Sequence, residues 1–215
     1  MGRVLVQLLP MVIGSIAMPS WALLVFALLS SGRKVIEAIA VVAGVTSVRL
    51  IQGIIFGTAV SAYELSNHLS SPDPIVSTLL IVLGVLMWAL AVRQATHKDD
   101  LKLMGLVGAL TPVRALGVGA ALVVTSTRAW IFTLAAIGVI EQAGLDFAQN
   151  AVAYLLYVLG AEVLLIAPIL VSARSSVRLE TAARWLDKYN GPIVIVVSVA
   201  VGSYFLWRGF TGLLH

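Results

Sequence analysis

Six long apolar runs make up most of this 215-residue chain, and this one feature leaves few folds open to it. They lie at about 4–30, 35–62, 74–93, 115–140, 147–172 and 191–213. A helix needs about 20 apolar residues to cross the hydrocarbon core of a bilayer, so each run predicts a transmembrane helix. Only 11% of the residues are charged, far below the quarter that is usual in soluble domains. We therefore expect an all-α integral membrane protein with six transmembrane helices.

The charged residues in the connections predict the orientation of these helices. Lys and Arg collect in the connections after the first, third and fifth runs. The connections after the second and fourth runs carry Glu64, Asp73, Glu141 and Asp146 and neither Lys nor Arg. Because basic connections stay in the cytoplasm, both termini are expected to face outward (N-out/C-out).

The six predicted helices divide into two groups of three within a single membrane domain, 1–215. We assign the first three-helix repeat to 1–107 and the second to 108–215. Since three is odd, two similar halves must have opposite orientations in the membrane, which is a 3+3 inverted repeat. Trp21 and Trp130, 109 residues apart, are the main sequence feature that the halves share.

The connection before the last apolar run has a pattern of its own. Between 175 and 189, apolar residues alternate with charged ones at roughly helical spacing. The pattern favours an amphipathic helix at the membrane interface, with a solvated loop as the alternative. Pro192 is expected to start the last transmembrane helix.

Pro19 lies in the middle of the first apolar run, next to Ser20. Proline lacks an N–H group and clashes with the preceding turn, so the helix is expected to kink or break there. A break at membrane depth is tolerated only beside protein or a water-filled cavity, and transporters use such breaks to bind substrate. The alternative is a structural kink packed on its neighbours.

The segment Thr125-Ser126-Thr127-Arg128 in the fourth run lies opposite the Pro19 region when the halves are aligned. Three hydroxyl groups and a guanidinium cannot all face lipid. Arg128 is suited to hold an anionic headgroup or carboxylate through paired hydrogen bonds. We therefore predict a substrate-binding site formed by Pro19, Ser20, Thr125, Ser126, Thr127 and Arg128. Alternatively, Arg128 pairs with an acidic residue of the protein or extends to the interface.

Arg49 and Glu162 lie within the second and fifth apolar runs, which correspond in the two halves. A charge at the bilayer centre costs on the order of 2.5–3.5 kcal/mol on insertion scales, so intramembrane charges usually have a function. One hypothesis is an ion pair that opens during transport, and a second makes Glu162 a proton carrier. The third is a static pair that fixes helix packing.

Several kinds of function have no support in the sequence. There is no cysteine, and His68, His97 and His215 are far apart, so we expect neither a metal site nor a cofactor. The basic residues form no stripe of the kind that binds nucleic acid. HExxH and GxSxG motifs are absent, which makes an enzyme improbable. Gly53 and Gly57 form a GxxxG pattern, and Gly117 and Gly119 form a similar pair, which favours close helix packing.

Several segments resemble the GAP family of the LysE-type transporter superfamily over nearly the whole chain. They are Ile16-Ala17-Met18-Pro19, 33–44, Leu83-Gly84-Val85-Leu86, 110–119, Ala183-Arg184-Trp185-Leu186, and the glycines Gly202 and Gly209. In the fourth helix, Thr125 to Arg128 replace the Asn-Pro-Lys-like break of the family. The proline is missing, which leaves open whether this helix is broken.

The resemblance implies a six-helix exporter of the cell inner (plasma) membrane, in a family associated with envelope glycolipids. It also makes a homodimer plausible. Our first hypothesis is a secondary transporter that exports a small polar or amphipathic solute, for which a lipid-related molecule is one candidate. Its partners are this solute and the membrane lipids that surround the protein. Arg49 and Glu162 are then its gating or proton-coupling residues. The alternative is a non-catalytic accessory subunit that scaffolds an envelope-lipid export machine.

Overall fold

The computed structural model describes residues 2–16, 19–30, 35–67, 74–96, 110–172 and 176–214, and their regular secondary structure is entirely α-helical. The helices in this part of the chain are α1 (Gly2–Ile16), α2 (Pro19–Ser30), α3 (Val35–Asn67), α4 (Pro74–Thr96), α5 (Pro112–Thr125), α6 (Thr127–Glu141), α7 (Phe147–Ser172) and α8 (Ser176–Leu214). The all-α prediction is therefore confirmed for the described residues.

Within the described residues, three stretches are long and apolar enough to cross a membrane: Val35–Ala59 in α3, Phe147–Ser172 in α7 and Lys188–Leu214 in α8. Two further spans are present if each bent pair, α1 with α2 and α5 with α6, counts as one. The predicted span at 74–93 lies in α4, whose shorter apolar part is Leu80–Thr96. The structure thus supports three to five of the six predicted spans.

The last helix is longer than the sequence predicts. α8 runs without interruption from Ser176 to Leu214, so the predicted interfacial segment is helical but is not a separate helix. Pro192 lies inside α8 and does not start a helix, which makes that prediction wrong. A proline inside a helix removes one backbone hydrogen bond and crowds the preceding turn. Here the helix continues through that local disturbance.

Glycines bring two pairs of helices into close contact. In the α4–α8 pair, a Cβ at Gly84 would lie 2.9 Å from the carbonyl oxygen of Gly202. In the α3–α5 pair, a Cβ at Gly44 would collide with the backbone of Leu116, and one at Gly119 with the backbone of Val41. These helices approach backbone to backbone, which only residues without a side chain permit.

The buried core includes α2 as well as α1, α3, α6 and α7, and its polar groups lie mainly where these last four helices meet. Gly14 of α1 packs directly on the ring of Phe132 of α6, and the Cβ that Gly160 of α7 lacks would lie 3.0 Å from Val12 of α1. Among the described residues, the buried polar or charged side chains are Ser15, Arg49, Gln52, Ser77, Thr133, Glu162 and Ser198. Most of these belong to the four central helices, so the core contains a polar centre.

Candidate functional site

The helix formed by α5 and α6 is broken at Ser126, although it has no proline there. Ser126 has an extended backbone (φ −88°, ψ 103°), and the axes of α5 and α6 differ by 73°. The residue ends α5 and caps α6, where its Oγ accepts a hydrogen bond of 3.3 Å from the N–H of Ala129. Serine is among the best N-cap residues because its hydroxyl takes up such a free donor. The missing proline therefore does not prevent the break.

Trp130 stabilises the same break from the other side. Its indole Nε1 donates a hydrogen bond of 3.0 Å to the carbonyl oxygen of Val124, near the end of α5. A carbonyl group freed by a helix break inside a membrane needs a partner, and the indole provides one. The sequence identified Trp130 only as a residue shared by the two halves, and its position four residues after Ser126 is the signal for this role.

The first apolar run also changes direction at the predicted place. α1 ends at Ile16, α2 begins at Pro19, and their axes differ by 57°. Proline is favoured at the first position of a helix, because an N–H group there has no hydrogen-bond acceptor within the helix and its absence costs nothing. Ser20 follows in the first turn of α2 and is partly buried.

A cavity of about 210 Å³ lies beside both breaks. Four residues of the predicted substrate-binding site line it together with six others: Ser20, Ser126, Thr127 and Arg128, with Trp21, Leu90, Arg93, Gln94, Asn190 and Val194. Residues of α2 and α6, more than a hundred positions apart, thus meet at one cavity. Thr125 has an exposed side chain and is not among the lining residues, and its hydroxyl donates to the carbonyl oxygen of Ala121.

This cavity has a positive character. Arg128 and Arg93 both line it, and Arg128 Nη2 donates a hydrogen bond of 3.4 Å to Gln94 Oε1. The N-terminus of α6 also lies there and carries partial positive charge from the helix dipole. Guanidinium groups and helix N-termini are both suited to bind oxyanions. In the sequence, Arg93 is only one of the basic residues that predict the topology, and neither Gln94 nor Asn190 stands out. No local pattern identifies residues that distant helices contribute to one cavity.

Arg49 and Glu162, whose contact the sequence left open, form a buried ion pair. Arg49 Nε lies 3.8 Å from Glu162 Oε1, and the two side chains are 1% and 2% exposed. Thr46, one turn before Arg49 in α3, donates a hydrogen bond of 2.6 Å to Glu162 Oε2. One face of α3 therefore supplies two partners to the carboxylate of α7.

Two tyrosines of α7 enclose Arg49 and connect the pair to the other central helices. Tyr154 Oη donates a hydrogen bond of 2.6 Å to the carbonyl oxygen of Arg49. The ring centroid of Tyr157 lies 5.9 Å from the guanidinium carbon of Arg49, within the range of a cation–π contact. Tyr157 Oη is also 3.1 Å from Ser15 Oγ of α1 and 3.5 Å from Thr133 Oγ1 of α6. Four helices thus share one polar network.

This network is incompletely hydrogen-bonded within the described residues. Arg49 Nε and Nη1 and Glu162 Oε1 are buried without a hydrogen-bond partner. Gln52, 3% exposed and one turn after Arg49, has no partner for either atom of its amide group. Buried polar groups are normally satisfied, and an ion pair at 3.8 Å lacks the short contacts of a strong one. Such a pair is easier to separate than a bidentate one.

The described residues contain no group of three His, Cys, Asp or Glu side chains that are placed to hold a metal ion. The three histidines, His68, His97 and His215, lie outside the described residues. The groups that line the cavity or form the buried network are guanidinium, hydroxyl, amide and carboxylate groups.

Apolar helices, two helix breaks and a charged network in the core together define a helical membrane protein with a polar interior. The chain belongs to the SfLAP family, described as Sap, sulfolipid-1-addressing protein, and residues 8–211 match it. No curated protein and no solved structure matches the chain. The family supports a role at the membrane in lipid addressing.

Proposed function

We propose that this protein is a secondary transporter that moves an amphipathic solute with an anionic headgroup across the inner membrane. The observation that carries the proposal is the cavity beside the two helix breaks, where Arg93 and Arg128 meet the N-terminus of α6. Sulfate and phosphate esters are the headgroups that such donors bind best. The family description, which names a sulfolipid, is consistent with a sulfolipid as the solute.

The arrangement of the helices supports an inverted repeat. In this proposal α1 and α2 correspond to α5 and α6, α3 to α7, and α4 to α8. Each half then begins with a helix broken near its middle, and the first part of each broken helix packs on the long helix of the other half, α1 on α7 and α5 on α3. This is the architecture of many secondary transporters, whose sites lie at the repeat interface. On the same grounds we propose that the chain is related to the LysE-type transporter superfamily.

Arg49 and Glu162 are proposed as the coupling residues. The 3.8 Å separation and the missing hydrogen bonds leave the pair only weakly held. When the pair opens in a site of low dielectric constant, Glu162 binds a proton, because an isolated carboxylate is costly there. Proton binding and release at Glu162 would then couple solute export to a proton gradient.

The cavity faces the side from which an exporter takes up its solute. Arg93 and Gln94 lie near the C-terminal end of α4, which is cytoplasmic in the predicted topology. Under that topology the cavity opens toward the cytoplasm. An exporter whose cavity opens toward the cytoplasm is in the conformation that takes up its solute.

The test is transbilayer movement in proteoliposomes. A fluorescent sulfated glycolipid and its unsulfated counterpart are compared, with internal pH recorded, for the wild type, Arg128→Gln, Glu162→Gln and the control Arg114→Gln, whose exposed arginine does not line the cavity. We expect movement of the sulfated lipid alone, at least tenfold slower in Arg128→Gln and uncoupled from protons in Glu162→Gln. If folded wild-type protein moves neither lipid, the alternative function, an accessory subunit of a lipid-export machine, replaces this one.

A further inference from the structure

A second and larger cavity, of about 750 Å³, lies between α3, α6 and α7 and is separate from the cationic one. No lining residue is common to the two cavities. Its volume falls in the range of small-molecule binding pockets. Most of its wall is aliphatic, with Leu50, Ile54, Ile137, Ile140 and Leu155 among the lining residues. The cavity is therefore suited to an alkyl chain.

The glycines of the GxxxG pattern give this cavity its shape. A Cβ at Gly53 would collide with the ring of Tyr154, so this glycine serves close packing, as the sequence predicts. A Cβ at Gly57 would meet only Glu141 Oε1, at 3.7 Å, among the described heavy atoms within 4 Å. The Cβ that Gly57 lacks would be in ordinary contact distance of Glu141 only, so the glycine leaves this volume to the cavity.

One end of the cavity is polar, and its groups accept hydrogen bonds. Glu141 and Asn150 both line it, and Asn150 Nδ2 donates to Glu141 Oε2 at 3.5 Å. The remaining amide oxygen, Asn150 Oδ1, is buried and has no hydrogen-bond partner among the described residues. An ionised carboxylate and an amide oxygen are acceptors only, so this end favours a ligand that supplies donors.

The charge at this end is also negative. Glu141 is the last residue of α6, and the C-terminal end of a helix carries partial negative charge that favours a cation. The cationic cavity lies at the opposite end of the same helix, at Thr127 and Arg128. The two ends of α6 thus present cavities of opposite electrostatic character, and the ligands they select differ in the charge of the head.

We propose that the larger cavity binds a bilayer amphiphile with one long alkyl chain and an ammonium head, the chain along α3 and the head at Glu141 and Asn150. Anionic amphiphiles are excluded by the Glu141 carboxylate. Tyr154 lines the cavity and donates its hydroxyl hydrogen to the carbonyl oxygen of Arg49. A ligand in the cavity therefore contacts a residue that is hydrogen-bonded to the backbone of Arg49, one member of the buried ion pair. The site does not depend on the proposed transport function.

The test uses the full chain in lipid nanodiscs with two photoactivatable diazirine-alkyl probes of equal chain length, one with an ammonium head and one with a sulfonate head. Labelled peptides are mapped by mass spectrometry. We expect the ammonium probe to label the walls of this cavity in α3, α6 and α7 at least tenfold more than the sulfonate probe. Equal labelling by both probes, or labelling confined to other surfaces, overturns the proposal.

Two variants and one control variant test the shape and the charge of the cavity. Gly57→Leu places a side chain in the cavity and should abolish the labelling, whereas Gly117→Leu, at a helical glycine where a Cβ meets nothing within 4 Å, should leave it unchanged. Glu141→Gln keeps the shape and removes the charge, so it should reduce the preference for the ammonium probe at least fivefold. If the preference survives in folded Glu141→Gln protein, the assigned role of the carboxylate is wrong. Should Gly57→Leu not fold, the wild-type map alone decides.

Discussion

At the scale of single residues, the core of this protein depends on a buried charge pair that is only partly compensated. Both side chains are almost fully buried, and the described contacts of Glu162 are Thr46 at 2.6 Å and Arg49 at 3.8 Å. Desolvating two charges costs several kcal/mol per ion, which only good geometry and further hydrogen bonds recover. The pair therefore contributes little net stability, yet the loss of one member leaves the other uncompensated.

The first prediction follows from this asymmetry. Arg49→Met leaves the Glu162 carboxylate buried without its cation and should lower the free energy of unfolding by about 3–5 kcal/mol. The double variant Arg49→Met/Glu162→Leu removes both charges at similar volume and should recover most of that loss. Thermal unfolding in detergent measures the difference. A double variant that is less stable than Arg49→Met would contradict this account of the pair.

At the scale of helices, small residues decide where a helix breaks and where two helices touch. The break between α5 and α6 depends on the Ser126 hydroxyl, which caps α6, and on the Trp130 indole, which takes up a carbonyl of α5. The sequence aligned this segment with Pro19 but left open whether the helix breaks there. It could not establish that a serine suffices, because capping depends on backbone angles that composition does not fix.

The second prediction concerns this cap. Ser126→Ala removes the acceptor for the Ala129 N–H and should lower the free energy of unfolding by about 1 kcal/mol. Ser47→Ala is the control, since Ser47 lies inside α3 and donates only to the carbonyl oxygen of Ala43 four residues before it. That change should stay within about 0.5 kcal/mol. Equal effects of the two changes, compared by chemical denaturation, would show that Ser126 does not act as a cap.

The third prediction separates two glycines of α5 that the sequence treats alike. A Cβ at Gly119 would collide with the backbone of Val41, whereas one at Gly117 would meet nothing within 4 Å among the described residues. Because backbone atoms cannot move aside as a flexible side chain does, Gly119→Ala should cost about 1–3 kcal/mol, as overpacking does. Gly117→Ala should be neutral or slightly stabilising, because alanine favours a helix. Thermal unfolding of both variants tests the α3–α5 contact, and a neutral Gly119→Ala would refute it.

At the scale of the whole molecule, membrane topology is the property on which the inverted repeat depends. Two similar three-helix halves need opposite orientations, which places the connections after the second and third helices on opposite sides. Residues 68–73 and 97–109 of these connections lie outside the described residues, so the topology prediction rests on the charges of the connections.

The fourth prediction uses the absence of cysteine from this chain. Single cysteines introduced at Glu64 and Lys98 should react with a membrane-impermeant maleimide from opposite sides, Glu64 from outside intact cells and Lys98 only after the membrane is opened. The unchanged chain has no thiol and serves as the background control. Labelling of both positions from the same side would remove the basis for the inverted repeat.

The sequence by itself determined the class of this protein and the positions of its polar groups. Apolar runs of membrane length require helices, and charges inside them require partners in the core, since neither an open backbone nor an isolated charge is stable in lipid. These two requirements mark Pro19, Arg49, Ser126, Arg128 and Glu162 in the sequence alone.

Only the tertiary structure decided which of these groups meet. It brings Ser20 together with Arg128 and adds Arg93 from α4 to the same cavity. It places Arg49 directly against Glu162, with two tyrosines in contact with the arginine. It also keeps α8 helical through Pro192, where local propensity predicted a boundary. The reason is physical: helix formation is governed by neighbours along the chain, whereas a cavity or an ion pair depends on how distant helices pack, and one sequence read alone contains no signal for that packing.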